Sequence, residues 1–135
     1  MAALIAVAET AQDVGSALDQ FLGPVADCSA DITALIAQCF QTSSALRTLH
    51  DTLDDHLSPR RHQLISADVK TVRSSLNYTF TDVKRIFGGI QREGYRQVWR
   101  DLNDYFRAES GNTLNRRLQY YQQFLRGLTQ ALLEG

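Results

Sequence analysis

Proline is nearly absent from this chain: Pro24 and Pro59 are the only two in 135 residues. Proline interrupts helices and sheet ladders, so its scarcity leaves room for long unbroken helices. Cysteine is as scarce, with Cys28 and Cys39 eleven residues apart. On one helix that spacing is about 16 Å of rise, too far for a disulfide, which needs Cα atoms within about 7 Å. Two free thiols fit a reducing, cytoplasmic compartment. The first half lacks bases, Arg47 being the first, so the cationic start of a secretory signal is missing. The apolar opening MAALIAVA stops at Glu9, far short of the roughly 20 residues that span a bilayer. Alternating apolar–polar runs are also missing, which argues against β-structure.

What is present is helical periodicity, and it predicts an all-α fold: one domain over residues 1–135, an antiparallel bundle of four to five amphipathic helices. The first segment, about 2–22, carries Leu4, Val7, Ala11, Val14, Leu18 and Phe21 at steps of three and four. Gly23-Pro24 ends it. The second, about 24–57, repeats that spacing from Val25 through Cys28, Ile32, Leu35, Cys39, Thr42, Leu46, Leu49 and Leu53, a bundle seam or coiled coil. Ser58-Pro59 reads as an N-cap followed by proline in the first turn. The third segment, about 59–87, has its stripe at Ile65, Val69, Val72, Leu76, Thr79, Val83 and Ile86, and Gly88-Gly89 stops it. The fourth, about 91–109, has the aromatic-rich face Tyr95, Val98, Trp99, Leu102, Tyr105 and Phe106, with Gly94 a point of irregularity. Ser110-Gly111-Asn112 ends it and supplies a cap for the fifth, about 113–133, striped by Leu114, Leu118, Tyr121, Leu125, Leu128 and Leu132. The end at Gly135, just past this helix, reads as the N-terminal part of a larger protein.

Charge divides the chain. Residues 1–57 hold eight acids against Arg47, a net −7, and residues 58–135 hold thirteen bases against seven acids, a net +6. Either the halves pair with each other inside the bundle, or the asymmetry marks a partner surface. Twelve of the fourteen bases are arginine, whose planar fork suits carboxylate and phosphate partners alike.

Catalytic patterns are missing. His50, His56 and His62 are six apart, which puts neighbours on nearly opposite faces. His50 with Asp54 makes two ligands where zinc needs three or four. No nucleophile elbow, phosphate loop or zinc-protease motif occurs. No enzyme activity, metal or cofactor is expected, nor is nucleic acid, because the domain is not basic overall. Two surfaces remain as candidates. The first helix, through Leu4, Ile5, Val7, Val14 and Leu18, could meet a membrane or partner, although its polar face carries Glu9, Asp13 and Asp19. Arg92, Arg96, Arg100 and Arg107, with Trp99, form a basic and aromatic face suited to anionic lipid or a partner, or to pairing with acids of the first two segments.

The stretch DVKTVRSSLNYTFTDVKRIFGGI and the later GYRQVWRDLNDYFRAESGNTLNRRLQYYQQFLRGL, together with the apolar first helix, resemble the HeLo-like helical N-terminal domains of fungal NACHT-type (STAND, NLR-like) signalling proteins. That resemblance implies a non-enzymatic effector or adaptor domain working through a protein partner or self-association, with membrane targeting by the first helix. The alternative is a lipid- or small-ligand-binding bundle whose pocket is lined by the aromatics of the last helices.

Overall fold

The computed structural model describes residues 2–55 and 59–134. Among them are five α-helices and no strand: α1 Ala2–Leu18, α2 Ser29–Asp55, α3 Pro59–Phe87, α4 Ile90–Ser110 and α5 Leu114–Glu134. The expected all-α bundle is what forms. The Ser58 cap, the end of the second segment at Leu57 and His56 lie outside the described residues.

Four helices make the bundle proper. In α1, Leu4, Val7, Ala8, Ala11, Val14 and Leu18 are buried, while Glu9, Asp13 and Ser16 face water. This helix crosses α2 closely at Gly15, where an added Cβ would lie 3.1 Å from Cys39 Cβ and 3.3 Å from the Phe40 ring. The neighbour of α2 on its other side is α5, and the two run parallel: Leu35 borders Leu114 and Asn115, Gln122 meets Gln38, and Thr48 borders Leu133. α3 runs antiparallel to α5, since Arg61 donates to the Leu132 carbonyl (3.0 Å) while Thr79 meets Tyr121 (3.2 Å).

α4 departs from the expected side-by-side packing. It lies across one end of the bundle, touching the end of α3, the turn between α1 and α2, and the start of α5. Tyr95 and Trp99 pack on Phe21, Tyr105 donates to Asp82 (2.8 Å), and Arg117 stacks on Phe106. Phe21, fully buried, is the hub of this end, with Phe87, Tyr95 and Trp99 at centroid distances of 5.3, 5.1 and 6.3 Å.

The helix boundaries shift where small backbone devices replace regular turns. The α-helical part of the first segment stops at Leu18, and Asp19–Phe21 continue as a 3-10 turn. The second segment opens not at Pro24 but with a 3-10 turn, Ala26–Cys28, before α2 begins at Ser29. Val25 donates back to the Phe21 carbonyl (2.9 Å), which keeps both side chains inside. The cap of α5 is Thr113, whose Oγ1 accepts from the Arg116 amide (3.2 Å), rather than the preceding Ser110-Gly111-Asn112. Gly94 is non-helical, at φ 79° and ψ 166°, a region populated almost only by glycine. No atom crowds a Cβ there, so Gly94→Ala tests backbone strain alone. It should lower stability by about 1–3 kcal/mol, read from urea unfolding. An unchanged midpoint would show that the turn relaxes freely.

One buried polar cluster interrupts the core. Gln122, 3% exposed, reaches across to Gln38 and to Thr42, which is itself fully buried. The sequence pattern placed Tyr121 on the core stripe; Gln122 holds that position instead, and Tyr121 is half-buried. Each buried side-chain polar atom among the described residues has a partner, as a stable interior requires.

Candidate functional site

The turn that delivers α5 from α4 leaves an open cleft of about 500 Å³ against the start of α2. Trp99, Arg100, Asn103, Asp104 and Arg107 of α4 line one wall. Thr113, Leu114 and Asn115 from the first turn of α5 line the second, and Cys28, Asp31 and Leu35 the third. Trp99, 7% exposed, is the floor, its ring held against Phe21. Asn103 is fixed by donating to the Trp99 carbonyl (2.8 Å). Arg100 and Arg107 are seven residues apart, two turns and about 10 Å along the helix, so both project on the cleft side. Among the described residues neither has a carboxylate within 4.0 Å. The amides of the first turn of α5 add partial positive charge at the second wall.

The arginine stripe is thus divided by function. Arg96 is consumed structurally: its guanidinium grips Asp27 through both oxygens (2.8 and 3.0 Å), tying α4 to the α1–α2 connection. That contact holds the Asp27 carboxyl below its ordinary value and raises Arg96 correspondingly. Arg92 is exposed on the short turn before Gly94, away from the cleft-lining residues. Arg96–Asp27 is also the one ion pair among the described residues that joins the acidic half to the basic half by arginine. Of the two readings of the charge split, wholesale pairing of the halves inside the bundle is not seen among the described residues.

A second hollow of about 400 Å³ lies between α3, α4 and α5, bordered by Ser75, Tyr78, Asp82, Glu109, Arg117 and Tyr121. Several of its polar groups pair with one another: Arg117 meets Glu109 (3.5 Å) and Thr79 (3.4 Å), and Tyr105 is bonded to Asp82. The Asp82 carboxylate beside it raises the Tyr105 phenol above its ordinary value. Of the aromatics expected to line a pocket between the last helices, Trp99 borders the cleft and Tyr121 this hollow. Tyr95 and Tyr105 pack on Phe21 and Phe106, and Tyr120 is exposed.

The remaining candidates fall apart in space. His50 lies 3.3 Å from Asp51 and 3.7 Å from Asp54, while His62 donates to the Leu53 carbonyl (2.9 Å). No group of three or more metal-ligating side chains assembles among the described residues. In α1, Leu4, Val7, Val14 and Leu18 are core and Ile5 is half-buried. Among the described residues no helix is long and apolar enough to cross a membrane. Asp31, Asn103, Thr113 and Asn115 escaped the sequence reading because their only shared signal is proximity across three helices.

No protein-family model, curated protein or solved structure matches this chain.

Proposed function

We propose that this domain is a non-catalytic binding bundle that takes a small anion, a phosphate monoester or a carboxylic acid, in the cleft between α2, α4 and α5. The observation that carries this reading is the pair Arg100 and Arg107, which share one wall of an approximately 500 Å³ cleft without a carboxylate within 4.0 Å among the described residues. Charge-assisted bonds from guanidinium to an oxyanion contribute about 1.5–3 kcal/mol each. Asp31 and Asp104 line the same cleft, which favours a small ligand that reaches the arginines and keeps clear of both carboxylates over an extended polyanion. This is the ligand-binding alternative in a polar form: the lining holds one aromatic and several hydrogen-bonding groups.

Trp99 is the chain's single tryptophan and forms the cleft floor, so its fluorescence reports occupancy. Titration with phenyl phosphate and with inorganic phosphate should give saturable changes, and neutral phenol none. Arg100→Gln with Arg107→Gln should weaken the response by at least about tenfold, the loss of roughly 1.4 kcal/mol or more. A response to phenol equal to that for phenyl phosphate, or one unchanged in the double variant, removes this reading.

The second reading is the effector or adaptor role implied by the resemblance to fungal signalling domains, with its cytoplasmic setting. Leu64, Tyr78, Tyr120 and Phe124, 73, 76, 50 and 44% exposed, favour it as contact residues. Entry of α1 into a membrane is the less economical form of this role. It requires withdrawing Leu4, Val7, Val14 and Leu18 from the core, at about 1.5–3 kcal/mol for each side chain left in water on the way.

A further inference from the structure

Two surfaces on opposite parts of the bundle complement each other. The first lies along α3 and α5. Arg60, Leu64, Thr71, Tyr78 and Arg85 follow one another at steps of four, seven, seven and seven, so they share a face of α3, and all are exposed. On α5, Arg116, Tyr120, Phe124, Gly127 and Ala131 form a matching exposed stripe. The antiparallel contacts Arg61–Leu132 and Thr79–Tyr121 set the two stripes beside one another. Tyr78 stands out furthest. Arg116 lies over Tyr120 (5.9 Å), and Arg85, although it reaches Asp82 at 3.5 Å, remains 60% exposed at its side chain. Asp68, exposed on α3 beside this strip, has no base within 4.0 Å among the described residues.

The second surface lies where α1 crosses α2. Gly15, Ser16, Asp19, Ile36 and Phe40 enclose a hollow of about 240 Å³. Gly15, Ile36 and Phe40, 41% exposed, make its apolar part, and Ser16 and Asp19 its polar part. Asp19 lines it, and Glu9 and Asp13 are exposed on α1; among the described residues no arginine or lysine lies within 4.0 Å of any of them.

We propose that this chain associates head-to-tail with copies of itself, the aromatic and cationic α3–α5 strip of one copy seating on the acid-rimmed α1–α2 hollow of the next, with Tyr78 or Leu64 as the inserted side chain. The second copy is the occupant because the same chain carries both halves of the match: apolar knobs beside arginines, and an apolar hollow beside carboxylates. Internal pairing leaves that charge available, since Asp27–Arg96 is the one arginine contact across the two halves among the described residues. Such a contact is heterologous, so it closes into a ring or continues as a filament. The strip runs about 21 Å from Leu64 to Tyr78 and is two helices wide, which places the contact at the small, transient end of protein interfaces. Association is therefore concentrated-solution behaviour, driven by charge and weakened by salt.

The test is light scattering across a concentration series, at low salt and at about 0.5 M salt. The native chain should show a mass that rises with concentration at low salt and falls back at high salt. Tyr78→Glu with Arg60→Glu removes the strip; Asp13→Lys with Asp19→Lys removes the hollow's rim. All four positions are exposed, and circular dichroism checks that each variant remains helical. Each double variant alone should be monomeric, its self-association weakened at least about tenfold. Mixed at equal amounts, the two should restore one discrete dimer, because each retains the surface that the other lacks. A native chain that is monomeric at every concentration overturns the proposal. So does assembly that either variant leaves intact, or a mixture that stays monomeric. Sedimentation of a monomeric native chain with anionic vesicles of phosphatidylserine and phosphatidylcholine would assign the strip to a lipid surface instead.

Discussion

Replacing Phe21 with alanine should remove about 3–5 kcal/mol of stability. Phe21 is fully buried and touches Phe87 of α3 and Tyr95 and Trp99 of α4. It sits on the turn that leads from α1 to α2, so it joins three separate stretches of chain. The cavity would open between elements already fixed by other contacts, Arg96–Asp27 and Tyr105–Asp82 among them, which limits collapse. Edge-on packing with Tyr95 adds to the area term. Against a typical total of about 5–15 kcal/mol, the loss is a large fraction. Tm should fall by about 10 °C or more. Trp99 emission should shift to the red in the folded state, because its ring loses a buried neighbour. Phe124→Ala is the control: that side chain is 44% exposed and should change stability by about 0.5 kcal/mol or less. Equal losses at Phe21 and Phe124 would contradict the placement of the hub.

The periodic signals carried most of this architecture. Leu4 to Leu18, Ile32 to Leu53, Ile65 to Val83 and Leu114 to Leu132 fall inside as their spacing requires, because burying an apolar stripe is what makes an amphipathic helix stable at all. Three things were not in the spacing. One is the crosswise seat of α4. Its stripe, Val98, Leu102 and Phe106, says that one side is covered, and is silent about whether a parallel helix or the end of a bundle does the covering. Another is Gln122, one position from Tyr121 on a face wide enough to include both; its burial depends on Gln38 and Thr42 of a helix more than seventy residues away. The third is the cleft. Arg100 and Arg107 were visible as charges on a helix, whereas Asn115 and Asp31 join them only through the sharp turn at Gly111, φ 74°. Periodicity describes one helix at a time, and a site built by three helices is a property of their arrangement.

The charge split has the same character. A net −7 beside a net +6 suggests internal attraction, and antiparallel packing makes that economical. In the fold, however, acids of α1 lie on its outer face and the bases of α3 and α5 largely on theirs, so the charges point away from the seam. Burying ion pairs would have required desolvating both partners, a penalty that Coulomb attraction often fails to offset. The bundle instead closes on apolar side chains and a few hydrogen-bonded polar groups, and leaves most of its charge at the surface.

Raising the pH above 9 should destabilise the native chain more than a Cys39→Ala variant. Cys39 is fully buried at the α1–α2 crossing, with its Cβ against Gly15. Burial pushes its thiol from 9.0 up to about 12. The unfolded chain releases that proton near pH 9 and the folded chain keeps it. Between those values the unfolded state binds fewer protons, so stability falls as pH rises; below pH 9 both states hold the proton and no penalty exists. At 1.36 kcal/mol per pKa unit, the contribution at pH 10.5 is about 2 kcal/mol. Tyr105, raised by its bond to Asp82, titrates in the same direction, but it is present in both proteins and cancels in the comparison. Urea midpoints for both proteins at pH 8 and pH 10.5 give the result directly. The native chain should lose about 2 kcal/mol more than the alanine variant over that interval. Equal losses would mean that the folded state opens to let the thiolate reach water, and that the α1–α2 crossing at Gly15 is looser than the full burial of Cys39 implies.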